Sequence, residues 1–102
     1  MMFDPILHQP LRTKIVSLIA SNEDGVSFTQ LLEATNTSNG NLSSHLRTLE
    51  DNGYIDVDKF FEGRRPKSIY RITQKGLEAF FEYLDALQGF LQIHSLKNQN
   101  KE

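Results

Sequence analysis

The sequence contains no cysteine. Disulfide staples and thiolate metal ligands are therefore excluded, and a reducing cytoplasm is the expected compartment. No apolar run approaches the ~18 residues needed to cross a bilayer, so no membrane span is expected. The opening Met-Met-Phe-Asp-Pro lacks a basic region leading into an apolar core, so no signal peptide is expected either. The motifs of common catalytic sites are missing: there is no G-x-S-x-G, no P-loop and no HExxH. The chain is not expected to be an enzyme. His8, His45 and His94 fall on separate predicted elements, which gives no expectation of a metal site or of any other cofactor. Internal repeats are also lacking.

A large charge of one sign is missing as well, the formal net charge being −2. The distribution says more than the total. Residues 59–75 hold Lys59, Arg64, Arg65, Lys67, Arg71 and Lys75 against the single acid Glu62. Residues 77–93 hold Glu78, Glu82 and Asp85 and no base. A basic stretch and an acidic helix on one small domain suggest two surfaces with different tasks. With 102 residues, 38% of them hydrophobic and 24% charged, the chain fits one soluble domain. That domain is expected over residues 1–96, followed by a polar, frayed tail over 97–102.

The order of elements can be read from caps and periodicity. Asp4 and Pro5 resemble an N-cap and the first position of a short turn through Leu7. Leu11, Ile15, Leu18 and Ile19 recur at helical spacing, which predicts a helix over 10–21. Asn22 to Gly25 stop it, and Val26 fits a very short strand. Ser27 with Gln30 forms a capping box for a second short helix to about Ala34. Ser38 is an N-cap candidate for a third helix that runs to Asn52, with Gly53 past its end. Residues 54–60 and 68–73 alternate, so they read as a hairpin whose turn spans Phe61 to Pro66. Thr73 can cap a last helix with an apolar stripe of Leu77, Phe80, Phe81, Leu84, Leu87 and Leu91. The result is mainly α with a β-hairpin wing, in the order of a winged helix-turn-helix.

Around the third helix, Leu42, Leu46 and Leu49 share one face. The opposite face carries Gly40, Ser43, Ser44 and Arg47, flanked by Asn41 and Thr48. Short polar side chains permit close approach to base edges, and one long base can bond guanine or phosphate. Ser-Asn-Gly-Asn followed by Ser-Ser is poor helix material, and a local preference that the fold must override is a sign of function. His45, between the two faces, is read as a packing residue. Arg64, Arg65 and Lys67 stand at the hairpin tip, where Arg suits a narrow minor groove. Late in the last helix, Leu84, Leu87, Phe90, Leu91 and Ile93 continue past the point where so small a domain has core to cover. Leu77, Phe80 and Phe81 are expected to pack on the hairpin and first helix, and the later residues to form an exposed dimer surface.

Residues 41–50, Asn52 to Ile55, Phe61 to Lys67, Tyr70 to Thr73, Lys75 and Gly76 together resemble small stand-alone winged-helix transcription regulators related to the MarR and ArsR groups. The resemblance covers about residues 4–92. It implies double-stranded DNA as partner and a homodimer joined through terminal helices. It makes Asn39, Asn41, Ser43, Ser44 and Arg47 candidate groove contacts, and Arg64, Arg65 and Lys67 wing contacts. Metal sensing of the ArsR type uses Cys, His and Asp clusters and does not carry over. The phenolic effectors of MarR proteins sit between longer helical arms, so no effector is assigned. Two alternatives keep the same fold. A winged helix for protein–protein contact would show an apolar or acidic third-helix face and no basic wing. An RNA-binding winged helix would meet a deep, narrow major groove that admits no helix.

Overall fold

The computed structural model describes residues 3–99, with side chains for residues 3–92. Its elements are α1 (Pro10–Ala20), β1 (Val26–Ser27), α2 (Phe28–Thr35), α3 (Asn39–Asp51), β2 (Ile55–Glu62), β3 (Arg65–Ile72) and α4 (Gln74–Gln99). The three strands form one antiparallel sheet in the order β1–β3–β2. This is the winged-helix arrangement the sequence predicts.

The helix ends follow from local chemistry. Asp4 Oδ1 accepts from the Ile6 N–H at 2.8 Å, which closes the first turn. The Gln9 side chain accepts from the Arg12 N–H at 2.8 Å and starts α1 beside Pro10. Ser27 and Gln30 satisfy each other's backbone N–H groups, so the capping box of α2 is complete. Asn36 ends α2 in a left-handed conformation, and Ser38 caps α3 by accepting from Asn41. Only two residues, Thr37 and Ser38, separate that left-handed residue from α3, which sets α3 across α2.

The core lies where these elements meet. Ile15, Val16 and Ile19 of α1, Leu31 of α2, and Leu42 and Leu49 of α3 are fully buried, as is Leu7. Ile55 seals the cluster from β2. Each such side chain contributes roughly 1.5–3 kcal/mol of burial. Packing therefore outweighs the poor helix propensity of α3, where Ser, Asn and Gly cost only about 0.5–1 kcal/mol each.

The hairpin is tighter than its sequence suggests. A turn was expected over residues 61–66, but β2 reaches Glu62, β3 begins at Arg65, and only Gly63 and Arg64 turn. Gly63 has φ +65 and Arg64 does not share the positive φ, the pattern of a type II′ turn. In such a hairpin the pair closing the turn exchanges backbone bonds and the next pair does not. Pro66, opposite Phe61, occupies that next pair, so its missing N–H interrupts no bond between β2 and β3.

The last helix is anchored at its start. Thr73 Oγ1 donates to the Gly53 carbonyl at 2.6 Å and accepts from the Gly76 N–H at 2.9 Å. A Cβ on Gly76 would lie 2.0 Å from the Tyr54 carbonyl oxygen, so α4 approaches the start of β2 as closely as backbone permits. Tyr54 in turn donates its hydroxyl to Asp4 Oδ2 at 2.6 Å. Burial, with that acceptor's charge beside it, pushes the Tyr54 hydroxyl up to about 12.

One expectation for α4 is overturned. Phe81 was expected to pack inward with Phe80, yet it is 57% exposed. The inward positions are Phe80 and Tyr83, with Ala79 and Leu87 partly buried against the core. At 100° per residue Phe81 lies about 100° from Phe80, beyond the edge of that face. Tyr83 takes the inner place because its hydroxyl has a partner, His8 Nδ1 at 3.0 Å. The helix backbone is described through Gln99. Residues 100–102 of the expected tail, and the side chains of Ile93 and His94, lie outside the described residues. None of the described helices is long and apolar enough to cross a membrane.

Candidate nucleic-acid interface

The buried leucines of α3 leave its other face to solvent. Asn39, Gly40, Asn41, Ser43, Ser44 and Arg47 are all exposed along it. Asn41 is held by its own amide, which donates to Thr37 Oγ1 at 2.8 Å, leaving its carbonyl oxygen as an acceptor. Thr48 is half-buried and its hydroxyl turns back to the Ser44 carbonyl at 3.2 Å. It therefore belongs to the rim of the face. A Cβ on Gly40 would touch nothing within 4 Å, so this glycine is not required by packing.

His45 fixes α3 against α1. Its Nδ1 lies 3.2 Å from Arg12 Nη1, while Arg12 Nε donates to the Ile6 carbonyl at 2.7 Å. Burial first, and the Arg12 charge second, hold the imidazole below its ordinary range. A neutral ring accepting from a guanidinium is a packing and orienting group, as the sequence suggested.

The wing stands beside this helix. Arg64 is in the turn and Arg65 opens β3, both exposed, and Lys67 is half-buried two residues further on. Between the helix face and the wing stands Lys59, a member of the basic stretch that is not among the expected contacts. Lys59 of β2 lines a cleft of about 210 Å³ with Ser43, Arg47 and Glu50 of α3 and Tyr70 of β3. Strand alternation carried the signal: Ile55 and Val57 face the core, so Lys59 follows on that side. Burial and the nearby Glu50 raise the Tyr70 hydroxyl, and its bond to Ser68 opposes this. Tyr70 thus stays neutral, and the cleft sets the cations Arg47 and Lys59 beside the single acid Glu50. A second cleft, of about 420 Å³, lies between the start of α2 and the wing, lined by Ser27, Phe28, Thr29, Arg65, Pro66, Lys67 and Ser68.

The expected dimer residues are distributed less simply. Leu84 and Leu91 are 39% and 56% exposed, and with Phe81 they fall within about 80° on one side of α4. Leu87 is partly buried against the core. The Phe90 ring meets Phe3 edge-on at 6.2 Å.

The described residues hold no group of three or more His, Asp or Glu placed for a metal ion. What the site offers is hydrogen-bonding groups and cations on a projecting surface.

Comparison with known proteins agrees with this geometry. Residues 11–91 match the family of the winged helix DNA-binding domain. The chain is 37% identical over 79 residues to an uncharacterized protein of Methanocaldococcus jannaschii, covering 78% of this chain and 85% of that one. It is similar to the solved transcriptional regulator homologue of Pyrococcus horikoshii, with TM-score 0.78, 30% identity and 85% of each chain covered. The MepR–DNA complex of Staphylococcus aureus shares the fold, with TM-score 0.72 at 16% identity over 92% of this chain and 76% of that one. The fold recurs in MarR-family and ArsR-family regulators.

Proposed function

The chain belongs to the winged helix DNA-binding domain family, and on that premise we propose that it is a sequence-specific transcription regulator acting on double-stranded DNA as a homodimer. In this reading α3 enters the major groove and presents Asn39, Asn41, Ser43, Ser44 and Arg47 to base edges and phosphates. Arg64, Arg65 and Lys67 of the wing follow the backbone into the neighbouring minor groove. The observation that carries the proposal is the shared cleft of Arg47 and Lys59, which joins the polar helix face to the base of the basic wing. One phosphate backbone passing there would meet both cations. The crystallised complex of MepR with DNA supports DNA as the partner of this fold.

The exposed row of Phe81, Leu84 and Leu91 supports dimerisation through α4. Leu87, Phe90 and Ile93 complete the set of residues proposed for the dimer. Twofold symmetry then places two copies of α3 about 34–36 Å apart and requires a near-palindromic site. The cytoplasm is the proposed location, where such a regulator meets DNA.

Selection of bound duplexes from a random library tests the proposal. A near-palindromic consensus is the expected result. Tighter binding to an A-form RNA duplex than to any DNA duplex would overturn it.

A further inference from the structure

The wing carries an aromatic side chain that the domain core does not explain. Phe61 is 74% exposed, the most exposed of the large apolar residues described. It is one residue from the end of β2, where the two-residue turn at Gly63 and Arg64 holds the hairpin in register from Ile55↔Ile72 to Glu62↔Arg65. Unbroken register fixes its side. Ile55 and Val57 face the core, Lys59 lines the cleft with Arg47, and Phe61 continues that face toward the tip. Its cross-strand partner is Pro66. Two apolar rings at a non-hydrogen-bonded position stand close together, so the tip presents a stiff apolar edge. Arg64 occupies the turn beyond that edge, while Arg65, paired with Glu62, lies on the opposite face of the hairpin.

An apolar edge with Lys59 behind it on the same face and Arg64 in the turn beyond it fits a partner that is anionic outside and apolar within. A DNA minor groove offers phosphates at its rim and sugar and base faces at its floor. We propose that Phe61, backed by Pro66, is a wedge that enters the minor groove beside the α3 site and partly unstacks one base step, bending the duplex. This rests on the DNA-binding reading above. Residues of this type, pressed between base steps, kink DNA by about 20–90° toward the major groove. Flexible pyrimidine–purine steps yield most readily, so the wedge adds sequence preference at a position α3 does not touch. Phe60 provides an internal control. It is 41% exposed, pairs with Lys67 and lies on the opposite face of the hairpin.

The experiment uses the intact protein and a duplex recovered by selection from a random library, carrying a donor and acceptor dye at its ends and 2-aminopurine in the segment flanking the α3 site. The wild type should shorten the end-to-end distance and raise 2-aminopurine emission at one step. Phe61→Ala should lose both signals while still binding with an unchanged salt dependence, Phe61→Leu should keep much of each, and Phe60→Ala should leave both intact. Phe61 is exposed, so retained binding by Phe61→Ala also reports a folded protein. A wild-type complex that binds tightly with straight, fully stacked DNA overturns the wedge and leaves the DNA-binding reading standing. A wild-type protein that retains no duplex overturns both. Equal loss of bending in Phe60→Ala and Phe61→Ala assigns the effect to the hairpin as a whole and overturns the role of Phe61.

Discussion

Arg12 Nη1 of α1 lies 3.2 Å from His45 Nδ1 of α3, and through this contact the first helix holds the helix proposed to enter the DNA groove. The imidazole is kept below its ordinary range by burial and then by the Arg12 charge. The consequence has a definite sign. In the unfolded chain the ring gains a proton as pH falls through about 6.5, and in the folded chain it does so only lower. Folding stability is therefore unaffected by His45 above that value and falls as pH drops below it, toward the folded value. Urea unfolding at pH 7.5 and pH 5 should show this loss, and His45→Gln, which keeps an acceptor without the titration, should reduce it. An unchanged pH dependence in His45→Gln would remove His45 as the cause.

Arg47 and Arg65 should fail in different ways. If Arg47 reads a base, Arg47→Ala weakens binding to the selected site by about 1–3 kcal/mol and hardly alters binding to random DNA. Arg65→Ala weakens both more evenly and reduces the salt dependence. Titrations on the two duplexes distinguish these outcomes. Equal weakening by Arg47→Ala on both would make Arg47 a phosphate contact.

Two glycines should respond oppositely. Gly76→Ala places a Cβ 2.0 Å from the Tyr54 carbonyl oxygen, where backbone faces backbone. Steric overlap of that kind belongs to the most damaging class of substitution, at about 4 kcal/mol or more. Gly40→Ala meets nothing in the free protein and should raise stability by up to about 0.5–1 kcal/mol. The added methyl stands on the surface proposed to face DNA, so binding should weaken while the melting temperature rises. A Gly40→Ala protein that binds as tightly as the parent would show that this turn of α3 does not approach the DNA closely.

The dimer is tested by charge. Leu84→Glu with Leu91→Glu changes two exposed side chains and leaves the partly buried Leu87 and the Phe3–Phe90 contact in place. Burial of these side chains contributes roughly 1.5–3 kcal/mol each, against an association cost of several kcal/mol. Sedimentation should show a dimer for the parent and a folded monomer for the double variant, with much weaker binding to a full site. A parent monomeric at tens of micromolar contradicts the dimer.

Local chemistry made most of the fold legible. The capping box of Ser27 and Gln30, the Ser38 cap and the Thr73 cap each lie within one helical turn, so spacing reveals them. The wing turn was read too long because its length depends on the handedness of one residue, Gly63, and strand pairing then claims residues with turn-like composition. Tyr83 went unread as core because the partner of its hydroxyl, His8, is 75 residues away. Phe81 was misplaced because periodicity gives a stripe's width and not its centre. Lys59 was visible as part of a basic stretch, but its place beside Arg47 depends on the angle between hairpin and helix, which no sequence pattern states.

The central claim, that this surface binds duplex DNA through its cations, is tested most directly by the salt dependence of binding to the selected duplex. Arg47, Lys59, Arg64, Arg65 and Lys67 from two protomers would meet roughly 6–8 phosphates at once, and displaced counterions give a slope of log K against log salt of about −5 to −7. A slope in that range is the predicted result. A slope near zero on the tightest-binding duplex would contradict the account.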